Sequence, residues 1–286
     1  MSAPRAVAVL SHARPGETDD ALRHLIALAQ RHEMVVRLDR HEADKHPSIA
    51  PGPGVEIAER YGDDVDVAIA LGGDGTILRA LREFAGTSIP VFGVNFGEIG
   101  FLSTVDRDEA PAAFERALTG DFETLTLPAI ALQHEGEARI AVNDVAITRR
   151  VGERVADLAY AVSGEEVGSV RCDGLVVATP AGSTGYNLAN GGPVMAWGVE
   201  GFVVSFIAPH SLTARALVVA PGDLLTVHNR SEGAVDVAFD GRPALEIPSG
   251  GTITAGFVRE ATDLALLPGS SFYRRLREKF GRLASS

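Results

Sequence analysis

Strand and helix signals alternate along the first hundred residues of the chain, and this alternation constrains the fold more than any other feature. Apolar runs typical of buried strands are separated by segments with helical periodicity. The strands are predicted at Ala6–Leu10, Met34–Leu38, Val65–Leu71 and Ile89–Asn95, and the helices at Asp19–His32, with Thr18 as N-cap, and at Thr76–Phe84. The proline-rich segment Asp44–Gly54 is expected to be an irregular, mobile loop. Repeated strand–helix–strand order predicts a parallel sheet with right-handed crossovers.

After about Asp108 the pattern changes to one helix, Ala110–Leu118, followed by short β-type runs. These strands are predicted at Arg139–Thr148, Ala156–Ser163, Gly174–Ala178, Phe202–Ile207, Leu224–His228, Val235–Phe239 and Gly251–Ala255. The last segment, Ser270 to Leu283, has an apolar face and predicts a final helix that docks onto a core; the face consists of Phe272, Leu276, Phe280 and Leu283. We therefore expect an α/β domain of residues 1–108, completed by 262–286, and a mostly β domain of residues 109–261.

Composition limits the class of protein. The 286 residues are 45% hydrophobic, enough for one large or two modest domains. The net charge of -12 argues against a nucleic-acid or anionic-membrane binder, which needs a basic face. No run approaches the roughly 18 apolar residues that span a bilayer, and the first run is too short for a signal peptide. With a single cysteine, Cys172, the chain has no intramolecular disulfide, and a cytoplasmic location is expected.

A glycine-rich turn, Gly72-Gly73-Asp74-Gly75-Thr76, joins a predicted strand to a predicted helix. Glycines permit positive φ and bring no Cβ between backbone and ligand, so these amides could bind a phosphate at the helix N-terminus. The carboxylate of Asp74 could orient or deprotonate a hydroxyl. The alternative is a plain strand-to-helix turn with Asp74 as a cap. The turn is neither a Walker A motif nor a G-x-G-x-x-G fingerprint.

The turn resembles the G-G-D-G-T signature of NAD kinases, of diacylglycerol and sphingosine kinases and, in related form, of phosphofructokinases. Alone it implies phosphoryl transfer to a hydroxyl without naming the acceptor. Four further segments resemble NAD kinases in order and spacing: Gly93–Leu102, Asn143-Asp144, Asp173–Tyr186 with Gly191-Gly192-Pro193, and Pro209–Leu212 with Arg215. The resemblance implies an enzyme that phosphorylates the 2′-hydroxyl of the adenosine ribose of NAD, with a Rossmann-like N-terminal domain.

The same resemblance implies roles for individual residues. Asp74 is expected to accept the proton of the 2′-hydroxyl, and Gly72, Gly73, Gly75 and Thr76 to hold the phosphates of ATP. The divalent cation, Mg²⁺, is expected to arrive with the nucleotide and not in a protein metal site. NAD contacts are expected at Asp74, Gly75, Arg79, Asn143, Asp144, Arg154, Arg171, Asp173, Thr184, Gly185, Tyr186, Asn187, Leu188, Ala189, Ala208 and Arg242.

The chemistry of several of these side chains suits a dinucleotide. The amide of Asn143 both donates and accepts, Asp144 and Asp173 accept from hydroxyls, and Tyr186 offers a stacking face. The hydroxyls of Ser183 and Thr184 are further candidates. As alternatives, Asn143-Asp144 could be a hairpin turn, and any one of the arginines a surface residue. His210 is interpreted as a structural histidine.

Two other functions remain open at this stage. A lipid kinase with the same glycine turn would need an exposed apolar cleft, but not the Asn143-Asp144 pair. A non-catalytic dinucleotide sensor would be expected to have lost the phosphate turn, which is intact here. The resemblance also implies a homodimer or homotetramer. The sequence leaves open whether polyphosphate can replace ATP and whether NADH can replace NAD.

Overall fold

The computed structural model of the chain describes residues 5–97, 100–134 and 137–281. The chain forms two compact units, of which the first comprises Met1–Thr126 and Thr262–Ser286 and the second Leu127–Ala261. None of the described helices combines the length and the apolar character that crossing a bilayer requires. The motif residues Glu98 and Ile99, and Leu283 of the expected apolar face, lie outside the described residues.

The first unit begins with alternating strands and helices. Its strands are β1 (Arg5–Ser11), β2 (Met34–Asp39), β3 (Val55–Ala58), β4 (Val65–Leu71), β5 (Pro90–Asn95) and β6 (Val105–Asp106), and its helices are α1 (Asp19–Arg31), α2 (Arg40–Lys45), α3 (Asp74–Glu83) and α4 (Ala110–Thr119). The strands pair in parallel in the order β5-β4-β1-β2-β3, and β6 pairs in parallel with β5. The predicted parallel sheet is confirmed.

The second unit is mostly β. Its elements, together with the end of the chain, are β7 (Glu123–His134), β8 (Glu137–Ala141), β9 (Asp144–Arg149), β10 (Ala156–Val162), β11 (Glu165–Cys172), β12 (Gly174–Ala178), α5 (Tyr186–Ala189), β13 (Phe202–Ile207), β14 (Leu217–Val219), β15 (Leu225–Asn229), β16 (Val235–Phe239), β17 (Arg242–Ile247), β18 (Thr252–Leu266) and α6 (Phe272–Phe280). One antiparallel sheet has the order β14-β13-β12-β9-β16-β17. A second antiparallel ladder runs β11-β10-β15-β18, and side chains of both sheets share one core.

The end of the chain returns to the first unit. There β18 pairs in parallel with β5, and α6 follows it. Phe272 and Leu276 are buried, and the Phe101 ring lies 6.1 Å from the Phe272 ring and 5.6 Å from the Phe280 ring. Arg275 donates hydrogen bonds to the Phe101 and Ser103 carbonyl oxygens. The final helix therefore docks onto the first unit, as its apolar face predicts.

Several predicted boundaries were wrong. Helix α4 was assigned to the second domain, but its apolar face, including Phe114, packs into the core of the first unit, which extends to Thr126. Helix α2 begins before the expected loop Asp44–Gly54 and takes its first two residues. The expected strand Arg139–Thr148 is two strands, because β8 pairs with β7 whereas β9 pairs with β12 and β16. Between them, the Val142 and Asn143 amides bond to the Asp240 side chain. Among the described residues, six strands were not predicted: β3, β6, β7, β11, β14 and β17.

Candidate functional site

The glycine turn connects the end of β4 to the start of α3. The Gly72 amide donates to the Val94 carbonyl and the Thr76 amide to the Gly73 carbonyl, so these two amides are engaged within the protein. Within the described part of the chain, the amides of Gly73 and Gly75 donate to no other residue. Because no atom lies within 4 Å of a Cβ placed on Gly73 or Gly75, a ligand can approach the backbone there. The amides available to a phosphate are therefore those of Gly73 and Gly75, and phosphate binding by all four residues stays a prediction.

Positive φ does not explain the glycines of this turn, contrary to expectation. Gly73 has φ -85, and Gly72 and Gly75, which the structure also describes, are not in the left-handed region. At Gly72 the constraint is packing, since a Cβ would lie 2.3 Å from Thr76 Oγ1. At Gly73 and Gly75 the lack of a side chain leaves the amides open.

The carboxylate of Asp74 is held by the chain that follows β5. The Phe101 amide donates to Asp74 Oδ2 at 2.8 Å, and the Leu102 amide donates to Oδ1 at 3.0 Å. Lys279 Nζ of α6 lies 3.9 Å from Oδ2. The side chain is 34% exposed, so the carboxylate is fixed in orientation and still reachable by a ligand. Gly100 is required by this arrangement, because a Cβ there would lie 2.0 Å from Asp74 Oδ1.

Arg79, an expected NAD contact, lies on α3 but points into a buried polar cluster of the first unit. Its Nη2 donates to the Ser11 carbonyl at 2.9 Å and to Glu42 Oε1 at 2.5 Å. The Glu42 side chain is fully buried and also accepts from Lys45 Nζ and from the amide and hydroxyl of Ser11. His46 bridges the Ser11 hydroxyl and Asp19. In this structure Arg79 stabilises α3 against β1 and α2.

In the second unit, the expected NAD residues form two groups, one at each end of β12. The first group lies at the carboxyl end of β12 and consists of Asn143, Asp144, Thr184, Gly185, Tyr186, Asn187, Leu188, Ala189 and Arg242. Asp144 pairs with Ala178, the last residue of β12, and the Thr179 amide donates to the Asn143 carbonyl. Burial and the charge of Asp240 raise the pKa of the Asp144 carboxyl to about 7.

Within this first group, some side chains are open to a ligand and others are internal. Tyr186 is 42% exposed, whereas the Asn143 amide oxygen is buried and has no hydrogen-bond partner among the described residues. The Ser183 hydroxyl donates to the Pro180 carbonyl, and the buried Asn187 amide donates to the Ser183 and Pro193 carbonyls. The expectation that Ser183 offers its hydroxyl to the ligand was wrong, and the Asn187 side chain holds the loop together.

The second group lies at the amino end of β12 and consists of Arg154, Arg171, Asp173 and Ala208. Asp173 precedes β12, its amide donates to the Ile207 carbonyl next to Ala208, and its Oδ1 accepts from Arg149 Nε at 2.5 Å. That hydrogen bond raises the pKa of the Arg149 guanidinium. Arg154 and Arg171 line a cavity of about 750 Å³ next to this end of the strand. The chain from Asp173 to Ala178 extends about 17 Å at ~3.3 Å per residue, which separates the two groups.

Several residues that shape these sites were not predicted from the sequence. Asp240 binds the backbone of residues 142 to 144, Lys279 approaches Asp74, and Glu42 binds Arg79. Only Asp240 had a sequence signal, because Asp-Gly between two alternating runs is typical of a tight hairpin. Lys279 and Glu42 are distant in sequence from their partners, so no local pattern identifies them.

Two family models match the chain: the ATP-NAD kinase N-terminal domain at residues 21–122 and the ATP-NAD kinase C-terminal domain at residues 142–262. An NAD kinase from Gemmatimonas aurantiaca is 36% identical over 236 residues, which cover 79% of this chain and 81% of the relative. An NAD kinase from Natranaerobius thermophilus is 30% identical over 281 residues, which cover 96% of this chain and 97% of the relative.

Solved structures show the same fold. Yeast NADH kinase complexed with NADH superposes with a TM-score of 0.88 at 22% identity, covering 100% of this chain and 90% of that one. An NAD kinase from Archaeoglobus fulgidus in complex with ATP superposes with a TM-score of 0.73 at 26% identity, covering 97% of each chain. These matches favour neither a lipid kinase nor a non-catalytic sensor. The chain belongs to the NAD kinase family, enzymes that transfer a phosphoryl group from ATP to NAD.

Proposed function

We propose that Asp74 accepts the proton of the 2′-hydroxyl of NAD during phosphoryl transfer from ATP. The observation that carries the proposal is the fixed, partly exposed carboxylate, oriented by the Phe101 and Leu102 amides. An ionised carboxylate oxygen accepts about two hydrogen bonds, so each Asp74 oxygen retains room for one more donor. A hydroxyl bound there is oriented for attack on a phosphorus atom. Catalysis of this reaction depends mainly on such positioning and on charge stabilisation.

The open amides of Gly73 and Gly75 are proposed to bind a phosphate of ATP. They lie at the N-terminus of α3, where unpaired N–H groups and the helix dipole favour an anion. Mg²⁺ bound to the ATP phosphates supplies further charge neutralisation. Asp74 would hold this ion through a water molecule of the Mg²⁺ hydration shell, which would donate a hydrogen bond to the carboxylate. Chelation of Mg²⁺ is expected to abolish turnover. Assays with polyphosphate in place of ATP test whether the enzyme accepts a second phosphoryl donor.

The role of Asp74 is tested by Asp74→Asn. This variant removes the proton acceptor and should lower kcat by at least about two decades, while NAD binding is retained. The matched control is Asp63→Asn, which changes an exposed carboxylate of the same unit and should leave kcat unchanged. Turnover of Asp74→Asn near the wild-type value would contradict the proposal. A parallel assay with NADH in place of NAD measures acceptor preference.

We further propose that a second copy of the chain completes the NAD site, in a homodimer or homotetramer. The supporting observation is the separation of the two groups by the length of β12. In a symmetric dimer, the amino end of β12 from one copy can meet the carboxyl end from the other. NAD would then contact Asn143, Asp144 and Tyr186 of one subunit and Arg171 and Asp173 of its neighbour.

Subunit complementation tests this arrangement. Asn143→Ala and Arg171→Ala each reduce activity in their homo-oligomers. A purified mixed dimer, with one variant in each subunit, should recover about half of the wild-type activity, because one of its two sites is then free of both substitutions. Light scattering gives the oligomeric state. A mixed dimer no more active than its parents would contradict the shared site. The proposed cytoplasmic location is tested by cell fractionation.

A further inference from the structure

The hairpin between β16 and β17 turns at Asp240 and Gly241, and both residues have positive φ, +48 and +73. Phe239 and Arg242 pair across the turn, which leaves a two-residue loop. Two successive residues with positive φ are typical of the type I′ turn, which favours Asp-Gly and also Asn-Gly. The turn geometry alone would therefore accept asparagine at residue 240 as readily as aspartate.

The side chain of Asp240 has a second set of contacts, with the segment that joins β8 to β9. Its Oδ1 accepts from the Asn143 amide at 2.7 Å and from the Asp144 amide at 3.2 Å, and its Oδ2 accepts from the Val142 amide at 3.2 Å. The Asp240 amide in turn donates to the Asp144 carbonyl at 2.8 Å. One carboxylate thus binds three consecutive amides, which a neutral amide side chain cannot match because only one of its two terminal atoms accepts.

We propose, on the basis of the NAD contacts proposed above for Asn143 and Asp144, that Asp240 is a positioning residue for the adenosine part of NAD. It fixes the backbone of Asn143 and Asp144, and thereby the positions of the two residues proposed to contact the adenosine. Asp240 acts through these two residues and not by contact with NAD. Substitution of Asp240 should weaken NAD binding and leave ATP binding unchanged, because ATP binds elsewhere in the proposed mechanism.

The negative charge of Asp240 has an additional effect on the same pair. Burial and the charge of Asp240 together raise the pKa of the Asp144 carboxyl. Removing that charge lowers the pKa of Asp144. The pH profile of NAD affinity should then shift to lower pH, a change that a purely structural turn residue would not produce.

The test compares Asp240→Asn with Gly241→Ala in the full-length enzyme. Asp240→Asn keeps a residue that suits the turn but removes the charge and one acceptor. It should raise the KM for NAD about tenfold, since a hydrogen bond to a charged group is worth about that factor or more. The KM for ATP should stay within about twofold, and the acid limb of the profile should shift to lower pH. Gly241→Ala strains the turn but keeps the carboxylate, so it should lower Tm and leave the KM for NAD almost unchanged.

Three outcomes separate the possibilities. An unchanged KM for NAD in Asp240→Asn, or equal increases in both variants, would overturn the positioning role and leave a turn residue. If Asn143→Ala and Asp144→Ala also leave the KM for NAD unchanged, the proposed NAD contacts fail as well. If those two variants raise it and Asp240→Asn does not, only the role of Asp240 fails. Asp240→Asn is preferred to Asp240→Ala because it preserves the turn, so a folded protein is expected.

Discussion

The fully buried carboxylate of Glu42 binds two cations, Lys45 at 2.8 Å and Arg79 at 2.5 Å, and both donors of Ser11. Burial on its own raises the pKa of Glu42. Three contacts outweigh burial: the hydrogen bond from Lys45, the charge of Arg79 and the hydrogen bond from Ser11. The pKa of Glu42 is therefore lower than the ordinary value of a glutamate. Glu42→Gln replaces this acceptor by an amide whose NH₂ group faces donors. We predict that the first unit then becomes less stable.

The expected loss follows from the burial of the partners. Removing one member of a buried ion pair costs about 3–5 kcal/mol. The side chains of Lys45 and Arg79 are 13% and 21% exposed, so water can solvate both in part. The expected loss therefore lies at the lower end of this range. About 3 kcal/mol corresponds to a decrease in Tm of roughly 6–12 °C for a domain of this size. The control Glu59→Gln removes an exposed pair with Arg40, which is worth less than about 1 kcal/mol.

Calorimetry and urea unfolding at several pH values provide the assay. Because the folded-state pKa of Glu42 is depressed, its stabilisation is fully present above the unfolded pKa near 4.5 and is lost as the pH falls through the lower folded-state value. The difference between wild type and Glu42→Gln should therefore be constant from about pH 6 to 8 and shrink below about pH 4. A Glu42→Gln enzyme as stable at pH 7 as Glu59→Gln would refute the reasoning.

Two further predictions follow from single contacts. Gly100→Ala places a Cβ 2.0 Å from Asp74 Oδ1 and should lower kcat by at least about tenfold, whereas Gly16→Ala, where no atom lies within 4 Å of the added Cβ, should not. Asp144→Asn removes a carboxyl whose pKa is raised to about 7, and a raised pKa makes the wild type lose stability as the pH rises from about 4 to 7. The variant should therefore have a higher Tm than wild type at pH 8 and no higher Tm at pH 4. Its KM for NAD should increase. Equal Tm values at pH 8 would contradict this prediction.

Local sequence patterns identified the parts of the molecule whose structure depends on near neighbours. The parallel sheet was predictable because buried apolar strands alternate with amphipathic helices such as α1. The phosphate turn was predictable because its glycines and Asp74 follow a strand directly. The family could be recognised from five short motifs in the expected order. Edge strands such as β11 escaped prediction because most of their side chains are exposed and show no apolar alternation.

Only the tertiary structure decided what each polar side chain binds. Arg79 has the spacing of a residue that reaches a phosphate, but the buried Glu42, 37 residues earlier, binds it instead. The amides that orient Asp74 come from residues 101 and 102, and those bound by Asp240 come from a segment about a hundred residues away. Sequence periodicity encodes burial and local geometry, whereas these partners are chosen by long-range chain packing. Composition and motifs thus determined the fold class and the chemistry, and the packing determined which side chains are free to perform it.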